Sequence, residues 1–373
     1  MPSADRMTHH PDTRLPQRIA LGVLLRSFPP AQVDRVLDAA DRREQRQRLL
    51  PARLMVYFTL GMWIFKALSY ELILAELLLD APGLALSVPA EETATAAAIG
   101  RARRRLGVEP LRLLFEQAAG PSAAPAPADF HGLRPVRLAQ VEVGVPATPA
   151  NLLGFGTVSG PGPCYGLGAA AAPTPLPLPP AARTGRAAVQ ARLSVLVEQS
   201  TGRVAAAEVT GGADPLPARL LSGAVLDGGL LIMDERPPCA LLDAAAERGG
   251  AERLWPLSER ARSASATRLP DGSQLGKLTA DDGSQQSVRV LPRTGGRGWL
   301  ATSITDHRAA PAAELAALYD DPRAADPGLA AIGGYGEGGR LELRSKDPEM
   351  VRQEIYAMLC VHHAIGDLIG PPR

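Results

Sequence analysis

The feature that most constrains this 373-residue chain is a change of character between Gly120 and Asp129. That stretch is built almost wholly of proline, alanine and small residues, so it continues neither a helix nor a strand and reads as a linker. Before it, apolar residues recur at helical spacing. After it, short runs rich in Val, Leu and Ile are separated by Gly and Asp turns. A chain of this length holds two bodies, each with its own core. The expectation is an α+β protein with a disordered N-terminus over 1–14 and a helical N-terminal domain over 15–118. A Pro/Ala linker follows over 119–132, then a mixed-sheet domain over 133–373 with a β-rich insertion at about 250–306.

Within the first part, Val33 to Asp38 shows helical spacing after Pro29-Pro30, and Arg42, Arg43, Arg46 and Arg48 suit a helix C-terminus. Pro51 opens a long apolar helix through Trp63, Ser69 precedes another, and Thr93 is a possible cap for a helix running into Arg101, Arg103, Arg104 and Arg105. Residues 1–118 carry sixteen Lys/Arg against thirteen Asp/Glu, a slight basic excess.

In the second part, Val136–Val143 and Arg192–Gln199 read as strands. Ser200-Thr201-Gly202 is a turn, which makes Arg192–Gln199 and Arg203–Val209 a hairpin. Gly229–Met233 is a continuous apolar run ending at Asp234, the pattern of a buried central strand that delivers a carboxylate at its C-terminal end. Ala240–Arg248 reads as a helix and Gly166–Arg186 as an exposed loop. Four more short strands are expected between Leu254 and Ile304, and closing helices at Ala312–Tyr319 and Pro348–Ile369.

Composition excludes several classes. Cys164, Cys239 and Cys360 lie far apart with no CxxC pair, which argues against a disulfide framework or zinc site and fits a reducing cytoplasm. Met1–Asp12 is polar and shows no signal peptide. The apolar stretch Leu54–Phe65 is shorter than the roughly 20 residues that span a bilayer, so no membrane partner is expected. A net charge of +1 gives no bulk attraction to nucleic acid and leaves only local basic patches.

Several segments, in order, carry a resemblance to a known family. Arg18-Ile19-Ala20, Asp38-Ala39-Ala40, Leu49 to Arg53, Ser69-Tyr70-Glu71 and Arg103 to Leu111 are similar to the helical N-terminal domain of Insertion Element Four transposases. Val145 to Asn151 looks like that family's segment just after its first catalytic aspartate. Leu318-Tyr319, Leu343 to Glu349 and Val351 to Tyr356 resemble its closing segment. The resemblance implies an RNase H-like catalytic domain of the DDE type. In such a domain three carboxylates hold two Mg²⁺ (or Mn²⁺) ions about 3.5–4 Å apart for strand cleavage and transfer. It also implies double-stranded DNA, such as the element's terminal repeats, as partner, a homodimer, and a cytoplasmic protein that is nucleoid-associated when on DNA.

The residues at the reaction positions depart from the family's pattern. The first aspartate position, counted back from Asn151, is Ala139, and the second is Asp234. Counting from Tyr319, Pro322 stands for the closing Arg, Asp326 for the Glu and Gly333 for the Lys. The resemblance therefore makes Asp234 and Asp326 the surviving candidate catalytic and metal-binding carboxylates. Its candidate DNA contacts are Arg101, Arg103, Arg104, Arg105, Arg344 and Lys346. Ala139 offers no oxygen, and Glu142, three residues along the strand, is expected to face the other side. The expectation is a transposase-like protein with impaired catalysis. An active enzyme using a rearranged metal site, with Glu235 or Glu142 as stand-in, and a non-catalytic scaffold or decayed relic both stay open. Asp234 itself reads equally as a ligand or as a strand-end cap.

Overall fold

The computed structural model describes residues 15–44, 46, 48–80, 94–119, 130–156, 189–212, 214, 218–221, 226–234, 250–257, 266–279, 285–293, 298–321 and 343–369. The chain divides into two compact units. One joins Met1–Ala118 to Ser345–Gly370, and the other is essentially Ala119–Arg344. The architecture is α+β, as expected.

The first unit holds α1 (Leu15–Ser27), α2 (Pro30–Ala39), α3 (Ala52–Ile64), α4 (Tyr70–Asp80), α5 (Ala96–Leu106) and α6 (Glu109–Ala119). The C-terminal helix Pro348–Ile369 belongs to the same unit. Helix α3 is apolar on every side, and Leu54 to Met62 are all buried, which marks it as the central helix rather than a surface one. It packs against α1, α2, α4, α5 and the C-terminal helix. Trp63 Nε1 donates to the Glu354 carbonyl at 2.7 Å, tying α3 to that last helix. The Glu44 carboxylate accepts the Ala52 N–H at 2.8 Å and so caps α3, which lacks a capping side chain at Pro51. Helix α5 is capped by Thr95, whose hydroxyl accepts from Ala98 N at 3.3 Å. Thr93, the cap expected from sequence, lies outside the described residues. Among the described residues no helix is long and apolar enough to cross a membrane.

The second unit is built on one nine-stranded sheet in the order β3-β2-β1-β4-β5-β9-β8-β7-β6. Its first strands are β1 (Arg134–Gly144), β2 (Gln190–Glu198), β3 (Val204–Gly211), β4 (Gly229–Met233) and β5 (Glu252–Leu257). β1, β2 and β3 run antiparallel, while β4 lies parallel to both β1 and β5. The sheet is therefore mixed, with its two parallel pairings at the centre. The β2–β3 hairpin turns at Gly202, whose φ of 67° favours glycine. Every residue of β4 is buried, as its unbroken apolar run requires.

The strands of the expected β-rich insertion continue the same sheet. β5 pairs directly with β4, and β9 (Trp299–Thr302), β8 (Gln285–Pro292), β7 (Gln274–Thr279) and β6 (Thr267–Arg268) extend the same sheet antiparallel. One face packs Val136, Leu196, Leu231, Met233 and Trp255. The other packs Leu230, Ile232, Leu254 and Leu300 against α8 (Ala312–Asp320), through Leu315 and Tyr319. A short helix α7 (Pro149–Phe155) follows β1 and is capped by Thr148, and the C-terminal helix is α9 (Pro348–Ile369). The expected helix at Ala240–Arg248 and loop at Gly166–Arg186 lie outside the described residues.

Asp271, in the β6–β7 turn, fixes the start of α8. Its carboxylate accepts the Ala312 N–H at 3.1 Å, the Ser273 N–H at 3.1 Å and the Ser273 hydroxyl. Desolvation pushes this carboxyl up, but the Ser273 and Ala312 hydrogen bonds and the Arg289 charge outweigh it and hold it below its usual range. A depressed native value stabilises the fold above the unfolded value, near pH 4, and that contribution is lost as pH falls through the native one. Urea unfolding should therefore show Asp271→Ala weaker than wild type by about 1 kcal/mol at pH 7, with the difference closing as pH falls through the depressed native value.

Candidate functional site

Strands β1 and β4 lie side by side and parallel, with Arg137 opposite Ile232 and Leu138 opposite Met233. Ala139 and Asp234 are the next residues along each strand, so the first two expected reaction positions are neighbours on the sheet. Alternation puts Arg137 and Ala139 on one face of β1, the face that carries Ile232 and α8. Ala139 is buried and contributes a methyl group. Asp234 has its side chain 57 % exposed at the strand end.

The residue that sequence reasoning missed is Arg137. Its side chain is 5 % exposed, and its guanidinium forms an ion pair and hydrogen bond with the Asp234 carboxylate. A second nitrogen donates to the Tyr319 carbonyl at 2.8 Å, satisfying one of the open carbonyls at the C-terminus of α8. The Gln199 amide does the same for the Leu318 carbonyl at 2.8 Å. The guanidinium carbon of Arg137 also lies 5.3 Å from the centre of the Tyr319 ring. Arg293 stacks on that ring as well, at 5.0 Å, and pairs with Asp320 at 2.6 Å. Burial, then the Asp234 charge, pushes the Tyr319 hydroxyl up in pKa, opposed by Arg293 and Arg137. A charged residue inside an apolar strand, on the face of the expected reaction position, was the available signal.

These residues do not fit a divalent ion held between carboxylates. Ala139 offers no ligand, and the Asp234 carboxylate is engaged by a cation of the protein itself. Glu142 is exposed and sits opposite Arg192 of β2, beyond the stretch where β1 pairs with β4. Among the described residues no group of three or more His, Cys, Asp or Glu gathers as a metal site would require. Asp326, Glu235, Pro322 and Gly333 lie outside the described residues.

The arginine cluster of α5 separates into different roles. Arg103 is fully buried and is not a surface contact. It donates to the Gln353 side chain at 2.9 Å, the Tyr70 hydroxyl at 3.0 Å, the Ser345 hydroxyl at 3.2 Å and the Met350 carbonyl at 3.3 Å. Arg105 holds Glu44 at 3.0 Å and the Leu50 carbonyl at 2.8 Å, bracing the start of α3. Arg101 and Arg104 are exposed. Lys346 is exposed and Arg344 half-buried.

Residues 18–116 match the family described as the insertion element 4 transposase N-terminal domain. The chain is also 25 % identical, over 355 residues, to the transposase InsG for insertion sequence element IS4 of Escherichia coli K12, spanning 90 % of this chain and 74 % of that protein. The matched range coincides with the helices α1 to α6, and the longer alignment runs on through the sheet unit. The helical unit thus carries a stretch that matches the insertion element 4 transposase N-terminal domain, and the chain as a whole is similar to an IS4 transposase.

Proposed function

We infer that this protein binds double-stranded DNA as a transposase-family protein but does not carry out metal-dependent strand cleavage. One observation carries the reading: the position beside Asp234 on the neighbouring strand is Ala139, and Asp234 is turned to Arg137. Two-metal phosphoryl transfer needs carboxylates that bridge and orient the ions, and an alanine beside an aspartate already paired to an arginine does not supply that bridge. No chemical step is assigned to the sheet unit on this reading. The DNA contact falls to the exposed arginines Arg101 and Arg104 of α5, with Lys346 as a further phosphate contact. A homodimer on paired element ends is part of the same proposal and follows from the resemblance alone.

The test is a nicking assay on DNA carrying the element's ends, with Mg²⁺ or Mn²⁺. Wild type should give no cleavage above the protein-free control. Cleavage that requires the metal and disappears in Asp234→Ala would overturn the reading. Binding should weaken steeply as salt rises, and Arg101→Ala and Arg104→Ala should each reduce the salt slope by about one. A slope near zero would favour a protein scaffold instead, a role that the net charge of +1 suits.

A further inference from the structure

We propose that Arg137 is the resident cation of this site, and that Asp234 serves Arg137 rather than a metal ion. The proposal deepens the non-cleaving function above and rests on that reading. Asp234 is more than half exposed and needs no partner to be tolerated at a strand end. Arg137 is nearly enclosed, and a buried guanidinium does need a counter-charge and filled donors. The Asp234 carboxylate supplies the counter-charge and takes one terminal nitrogen, the Tyr319 carbonyl takes the other, and the Tyr319 ring lies against the guanidinium, while Nε is left without a hydrogen-bond partner. Among the described residues the Asp234 carboxylate is thus matched by the Arg137 guanidinium, where a divalent ion asks for a surplus of hard anionic oxygens. Because the guanidinium is fixed from the α8 side as well, it does not swing away to admit a second cation. A carboxylate at the second reaction position thus becomes a positioning residue for the arginine that caps α8.

The experiment uses the full chain, as wild type and as Asp234→Asn, a substitution at an exposed position. Free Mn²⁺ is followed by electron paramagnetic resonance during titration, and melting is followed in EDTA. Wild type and Asp234→Asn should take up Mn²⁺ equally. Asp234→Asn should melt about 5 °C lower with no metal present, because the arginine has lost its counter-charge. A Mn²⁺ site in wild type that vanishes in Asp234→Asn would overturn the proposal, as would a variant that melts at or above wild type in EDTA. Cleavage without Asp234-dependent Mn²⁺ uptake would sink the non-cleaving function and leave this inference standing. Uptake without cleavage would do the reverse.

Discussion

Replacing Arg103 by Met should destabilise the helical unit by about 3–5 kcal/mol, the cost typical of breaking a buried charged network. The side chain is fully enclosed, and its guanidinium joins two segments far apart in sequence: Tyr70 in α4, and the stretch that holds Ser345 just before α9 with Met350 and Gln353 within it. Methionine fills a similar volume and removes every donor. Ser345 continues the network, donating through its hydroxyl to Glu354 at 2.6 Å, so the loss spreads. Arg103→Lys keeps the charge but not the planar fork, and should recover less than half of the loss. Urea unfolding followed by far-UV circular dichroism measures both variants. A loss below about 1 kcal/mol for Arg103→Met, or a lysine variant equal to wild type, would refute the role assigned to the fork.

The second large effect is expected in the sheet. Leu231→Ala should cost about 2–5 kcal/mol, through lost burial and a cavity that the surroundings only partly close. Leu231 is fully buried at the centre of β4, which has β1 on one side and β5 on the other. Its neighbours on that face, Val136, Leu196, Met233 and Trp255, sit on four different strands, β1, β2, β4 and β5, and do not move in together. Leu153→Ala makes the matching control, since Leu153 is 91 % exposed and its removal should stay within about 0.5 kcal/mol. Thermal melting followed by near-UV circular dichroism reads the pair. Equal effects at the two sites would contradict the burial assigned to β4.

What could be read from the sequence divides along physical lines. β4 was fully legible, because five apolar residues in a row between a glycine and an aspartate leave few alternatives to a strand buried on both faces. The β2–β3 hairpin was legible from its Ser-Thr-Gly turn, a local signal. The neighbouring placement of Ala139 and Asp234 followed from the family resemblance, and the strand register agrees with it. The partition of the arginine run was not read, although a signal existed. Ile99, Ala102, Arg103 and Leu106 form the buried stripe of α5 at helical spacing, so Arg103 stood on the apolar face while Arg101 and Arg104 did not. Arg137 escaped because its partners, Asp234 and Tyr319, are 97 and 182 residues away and only the folded sheet brings them to it. The order in which β5 to β9 join the sheet is likewise set by distant pairings. Strand pairing between distant segments leaves no local trace.

The return of α9 to the helical unit sets the order in which this protein matures. Trp63 and the apolar surface of α3 are covered in part by the last helix of the chain. The ribosome delivers residues 15–118 first, yet the hydrophobic centre of their unit stays incomplete until Ser345–Gly370 emerges. A chain stopped anywhere in the sheet unit therefore carries a sticky, half-built helical bundle at its front end. The helical unit is begun before the sheet unit and closes only after it.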